Sequence, residues 1–289
     1  MGTFNSRVRT AAQWAAANPI LPVGMIGFES DTGRSKLGNS RARWQALDYA
    51  GQTWEADNGR TAIIAPVAGS TTVTTLGCAI TGTGTATAAA LAATSLHTRL
   101  ERIDYLVTTA ATTAVAGFRG GGLMVWRGDA AGVGGFNVTL RWALATGGST
   151  TTNRGFCGLR NTVSAPTDVE PSSLTDLLGM GWDAADAQIQ FMHNDGSGTA
   201  QKVPLGAGFL VPTTDRAAVY ELNLSCEPNG SVISYTVKNL MTGATASGSV
   251  NSEIPAATTF LNLLGYCSVG GTSSVIGFTL FPSYVSSGT

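Results

Sequence analysis

Tyr220-Glu221-Leu222-Asn223-Leu224-Ser225-Cys226 and Ile233-Ser234-Tyr235-Thr236-Val237-Lys238, separated by a segment containing Pro228-Asn229-Gly230, read as a single hairpin. Tyr220, Leu222, Leu224 and Cys226 alternate with Glu221, Asn223 and Ser225, and Ile233, Tyr235 and Val237 alternate with polar residues in the same way. A period of two places one set on a buried face and the other toward water, and Pro-Asn-Gly supplies the turn chemistry between them.

The same alternation recurs outward from this hairpin. Phe136, Val138, Leu140, Trp142 and Leu144 share one face of a predicted strand, with Asn137, Thr139 and Arg141 on the other. Met241-Thr242-Gly243 reads as a further turn, and Val275 to Phe281 as a final strand beside Pro282. Half-polar antiparallel strands without alternating helices predict an all-β fold, an antiparallel β-sandwich of jelly-roll type. Composition agrees. Only 12 % of the 289 residues are charged, against about 25 % in ordinary domains, and 37 are glycine, a profile suited to short strands and tight turns. The tracts Gly69–Gly77 and Thr81–Ala88, rich in Thr, Gly and Ala, read as ordered strands because their β-branched residues suit a pleated surface.

The first 50 residues differ. Thr10 is placed to cap a helix through Ala11–Ala17, which Asn18 ends before Pro19. Met25 to Glu29 and Arg34 to Leu37 form a predicted hairpin around Ser30-Asp31-Thr32-Gly33, with glycine where a positive φ is needed, and Trp44 and Leu47 are close enough to cap it. Residues 1–50 thus read as a small helix-plus-hairpin unit and 51–289 as the sandwich. A unit of roughly 45 residues lies near the size below which staples or self-association are required. It carries six Lys or Arg against three acids, leaving −4 for the rest of a chain whose net charge is −1. Such a balance gives no field for nucleic acid. No run reaches the ~18 apolar residues of a membrane span, so no membrane insertion and a cytoplasmic site of synthesis are expected.

Chemistry is sparse. Cys78, Cys157, Cys226 and Cys267 lie far apart in apolar settings and read as free buried thiols. The two histidines, His97 and His193, belong to no H-E-x-x-H or Cys/His cluster, and no G-x-S-x-G elbow occurs in a strand-to-helix setting. No metal, cofactor or enzymatic activity is expected. The acids Asp168, Glu170, Asp176, Asp183, Asp186 and Asp195 form the one local concentration, with no Lys or Arg between Arg160 and Lys202. They fit turn positions best, with calcium ligation or a glycosidase carboxylate pair as the chemical alternatives. Asn194-Asp195-Gly196-Ser197-Gly198 reads as a hairpin tip. Trp182 beside Asp183 and Asp186, together with His193, Asn194 and Asp195, makes a candidate glycan site, since an aromatic face can stack on a sugar while carboxylates and amides bond its hydroxyls. Filling of the sandwich core is the other reading of Trp182.

The ordered series Arg9-Thr10-Ala11-Ala12-Gln13-Trp14, Asn18-Pro19-Ile20-Leu21, Gly24, Ile26-Gly27, Glu29, Asp31-Thr32-Gly33-Arg34, Lys36, Gly38, Trp44 and Leu47 resembles the small N-terminal module of tailed-bacteriophage fibre and tropism proteins. It departs from that pattern at Gly24-Met25 and Gly38-Asn39-Ser40. Phe156–Arg160, Glu170–Ser173, Asp183–Asp186 and His193–Lys202 carry a looser similarity to the distal parts of phage receptor-binding proteins. The resemblance implies a virion fibre on tail or head, commonly a homotrimer, made in the host cytoplasm. Its N-terminus would meet other virion proteins, with Trp14, Ile26, Phe28, Lys36 and Trp44 as candidate anchoring residues. Its tip would meet a host envelope polysaccharide or surface protein. A polysaccharide-degrading tailspike and a purely structural decoration or collar protein are the alternative expectations.

Overall fold

The computed structural model describes residues 6–23, 25–32, 34–38, 40–47, 60–67, 69–76 and 79–288. Gly33, expected to supply the positive φ of the first hairpin, and Cys78 lie outside the described residues. The chain divides into two units, Met1–Asn58 and Gly59–Thr289.

In the first unit β1 (Ser6–Arg9) is followed by α1 (Ala11–Ala17), β2 (Ile26–Glu29) and β3 (Ser35–Leu37). The sheet order is β1-β2-β3, with β1 parallel and β3 antiparallel to β2. The capping box at the start of α1 is complete: Gln13 N donates to Thr10 Oγ1, and Thr10 N donates to Gln13 Oε1. Asn18 ends the helix as expected but by a different device, a left-handed C-cap at φ 35°. β1 was not foreseen, because two of its four residues are arginines that give no strand signal. Trp14 and Trp44 stack at 4.2 Å over Leu21 and Leu47 to form the core of this unit. Gly27 is needed there, since a Cβ would strike the Trp44 ring.

The second unit contains β4 (Arg60–Pro66), β5 (Val73–Leu76), β6 (Ile80–Thr83), β7 (Thr85–Ala88), α2 (Leu96–Arg99), β8 (Ile103–Ala111), β9 (Val115–Gly120) and β10 (Phe136–Thr146). These are followed by β11 (Arg154–Arg160), β12 (Leu177–Trp182), β13 (Gln190–Asn194), β14 (Gln201–Pro204) and β15 (Tyr220–Cys226). Last come β16 (Ile233–Asn239), β17 (Thr245–Val250), β18 (Asn262–Ser268), β19 (Ser274–Leu280) and β20 (Ser283–Ser287). They form two packed antiparallel sheets, a sandwich of jelly-roll type. One runs β17-β16-β15-β10-β19-β8-β7, with β20, β4 and β5 branching from β10; the other runs β14-β13-β12-β11-β18-β9-β6.

The hairpin that decides the fold is β15–β16, paired from Tyr220↔Asn239 to Cys226↔Ile233. Its apolar residues face inward and are buried, as are those of β10. On the outward face Arg141, Glu221 and Lys238 align across β10, β15 and β16, and Arg141 Nε reaches Glu221 Oε2 at 2.6 Å. Trp142 sits at the centre of the core, stacked on Trp182 at 5.8 Å and on Phe278 at 5.6 Å. The abundance of glycine has a packing cause: a Cβ at Gly155 would come within 2.5 Å of Trp182 Cη2, and one at Gly265 within 2.5 Å of Phe118 Cε1. Cys157, Cys226 and Cys267 are free and buried.

The strand expected to be final is not. β19 stops at Leu280, the chain passes Phe281 and Pro282, and β20 continues antiparallel along the other half of β10. Proline cannot donate to a ladder, so the interruption falls there. Beyond it the sheet forks, β19 pairing β8 while β20 pairs β4.

Candidate functional site

The sequence-derived glycan residues do not form one surface. Trp182 is fully buried, and its Nε1 donates to Asn153 Oδ1 at 2.8 Å. Its ring therefore fills the core and offers no face to a sugar. Asp183 and Asp186 both grip Lys202 Nζ, at 2.7 and 2.6 Å. Burial pushes the Asp183 carboxyl up, but Lys202 and Ser172 outweigh it and hold the group below the usual carboxylate range. Asp168 and Glu170 pair with Arg154, each at 2.9 Å. The acids of 168–186 are thus balanced largely by cations just outside the run, Arg154 and Lys202. Asp183 and Asp186 are thereby tied into one ion-paired cluster with Lys202. Among the described residues no group of three or more His, Cys, Asp or Glu is placed to hold a metal.

His193 and Asn194 are buried on β13, four and five rungs from the level of Trp182, since Leu178 pairs His193 and Leu177 pairs Asn194. The His193 Nδ1 position lies 2.9 Å from Glu253 O. Asp195 is half-buried and closes the expected hairpin tip by accepting from Ser197 N at 2.8 Å and Ser197 Oγ at 3.0 Å, an Asx turn.

In the first unit Trp14, Lys36 and Trp44 are interior. Lys36 Nζ donates to Trp44 O at 3.0 Å, and Trp14 Nε1 donates to Phe28 O at 2.9 Å. They build the fold of the unit. Ile26 is half-buried and Phe28 exposed on the opposite face of the sheet, with exposed Val8 and Leu37 in register beside them.

The sandwich does carry an outward aromatic pair, which reading the sequence missed. Trp126 and Phe260 stack at 4.8 Å with planes 12° apart; Trp126 is partly buried and Phe260 is 40 % exposed. They stand on two loops, 121–135 and 255–261, tied to each other and to 161–162. Val125 bridges Leu261, Asn161 Nδ2 donates to Phe260 O at 2.7 Å, and Asn262 Nδ2 donates to both Gly120 O and Thr162 O. Arg127 locks the base, its guanidinium donating to Gly230 O and Pro255 O. A flat, partly wet aromatic pair on pre-tied loops can stack against an apolar ligand face with little ordering cost. The available signal was a tryptophan in Leu123-Met124-Val125-Trp126 flanked by Gly120-Gly121-Gly122 and Gly128, outside any alternating run.

No protein-family model matches the chain, and no curated protein matches it. Among solved structures, a protein of unknown function from Shewanella oneidensis MR-1 is similar at 13 % identity and TM-score 0.54, over 82 % of this chain and 90 % of that one. This likeness shows the fold. Peanut lectin bound to a nine-residue peptide is similar at 13 % identity and TM-score 0.46, over 72 % of this chain and 90 % of that one. The CBM2 module of the evolved Dit of Lactobacillus casei BL23 phage J-1 is similar at 12 % identity and TM-score 0.37, over 59 % and 68 %. These two scores are too low to carry an argument about this chain.

Proposed function

We propose that the chain is a virion fibre protein that mounts on a phage particle through its N-terminal unit and binds host envelope polysaccharide through the sandwich. The observation that carries the binding half is the Trp126–Phe260 stack on loops fixed by Arg127 and Asn262. The mounting half rests on the resemblance of the N-terminal unit. It is supported by the finding that Trp14, Gly27, Lys36 and Trp44, which carry that resemblance, meet in one small core. Mounting and self-association as a homotrimer would use the outer sheet face, with Val8, Ile26, Phe28 and Leu37. So small a unit gains stability by covering such a face. Attachment would then be multivalent, several modest contacts adding through effective concentration.

The test is binding of the full chain to an array of bacterial surface polysaccharides. Trp126→Ala should weaken binding by about 2 kcal/mol, roughly thirtyfold, with the melting transition retained. Unchanged binding by Trp126→Ala paired with Phe260→Ala would exclude this site.

A further inference from the structure

A cavity unrelated to the aromatic pair lies where the ladders of the larger sheet shift register. The β10–β19 ladder shifts register between Leu144 and Thr146, and the β19–β8 ladder shifts between Ser274 and Ile276. Such bulges re-aim side chains and end regular pairing, often beside binding sites. Here they flank a cavity of about 400 Å³, within the range of small-molecule pockets. Leu106, Val107, Ala145 and Val275 give it an apolar lining, and Thr108, Thr146, Asp215 and Arg216 supply the polar groups.

Those polar groups are positioned and have capacity left. Asp215 is fixed by Gly148 N at 2.8 Å and Thr146 Oγ1 at 3.1 Å, which leaves further lone pairs to accept hydrogen bonds. Arg216 holds a left-handed backbone at φ 58°, a strained conformation for a long side chain. Its half-exposed guanidinium makes one long contact, 3.4 Å to Asp104 Oδ2, and guanidinium has five N–H donors.

We propose that this cavity is a second ligand site, for a single neutral pyranose ring. The proposal rests on the reading of the chain as a glycan binder and deepens it. An adjacent carboxylate acceptor and guanidinium donor match vicinal hydroxyls, each of which donates and accepts. The aliphatic lining matches the C–H face of the ring. The site stands at the other end of the sandwich from Phe260: the chain runs from Phe260 along β18 and turns after Ser268 before reaching Val275.

The experiment is ligand-observed saturation-transfer NMR on the full chain, with D-glucose, D-galactose, D-mannose and N-acetyl-D-glucosamine as probes. At least one probe should show transfer that survives Trp126→Ala. That transfer should fall at least tenfold in Asp215→Ala and in Thr108→Met, which sets a longer, non-aromatic side chain on the exposed lining of the cavity while the Asp215 partners, Gly148 and Thr146, are kept. Transfer that persists in Thr108→Met overturns the proposal, whatever Asp215→Ala does to folding. Absence of transfer for all four probes, with polysaccharide binding through Trp126 intact, overturns the second site and leaves the adhesin reading standing. Absence of both removes the two together.

Discussion

His97 shows how one buried side chain sets a property of the whole molecule. It lies fully buried against Phe281, its Nε2 3.1 Å from Thr279 Oγ1, while Thr279 donates to Asp104 Oδ1 at 2.6 Å. Burial pushes its pKa down from 6.5 to about 4, with Asp104 opposing the shift and Arg102 and Arg216 adding to it. The unfolded chain therefore takes up the proton first. The contribution of neutral His97 is full above pH 6.5 and is lost as pH falls toward about 4, a loss of about 3 kcal/mol. Urea unfolding across that window should show the decline in the wild type and a flatter profile in His97→Gln; equal slopes would refute it. A second residue-scale prediction concerns Lys202. Lys202→Met leaves Asp183 and Asp186 without their shared ammonium and should cost about 2–3 kcal/mol at neutral pH, with a smaller penalty in acid as Asp183 protonates. A pH-independent penalty would mean that the ion pairs contribute little. Neither role was legible in the sequence, because both depend on partners brought together from other elements and loops. The interior fate of Trp182 was one of two open readings, and its adjacency to two aspartates could not decide between them.

At the scale of elements, legibility followed exposure. β10, β15 and β16 each have one wet face, so their apolar residues alternate and their inward faces could be read directly. β12 and β18 are buried on both faces, which erases the period of two. The cause is the segment 161–176, which packs over the outer face of their sheet with Phe156, Leu177, Leu264 and Tyr266 beneath it. Arg154 holds that segment through Asp168 and Glu170. Arg154→Gln should accelerate amide exchange within 161–176 and leave β10, β15 and β16 protected. Unchanged exchange, or exchange rising uniformly across both sheets, would show that the segment is not an independent flap. The break at Pro282 was visible as a proline, yet the continuation into β20 was not, because Ser283–Ser287 is too short and polar to announce a strand.

At the scale of the whole molecule, a small unit with a tryptophan-stacked core precedes a large sandwich, and the proposed function gives mounting to the first and binding to the second. On that proposal, binding passes through the Trp126–Phe260 end of the sandwich without cleavage. The most direct measurement is adsorption of the full chain to intact host cells, beside the Trp126→Ala, Phe260→Ala double variant, with the length of soluble envelope polysaccharide followed in parallel. The expected result is adsorption by the wild type, adsorption at least tenfold weaker by the variant, and polysaccharide of unchanged length. Equal adsorption by both proteins, or progressive shortening of the polysaccharide, would contradict it.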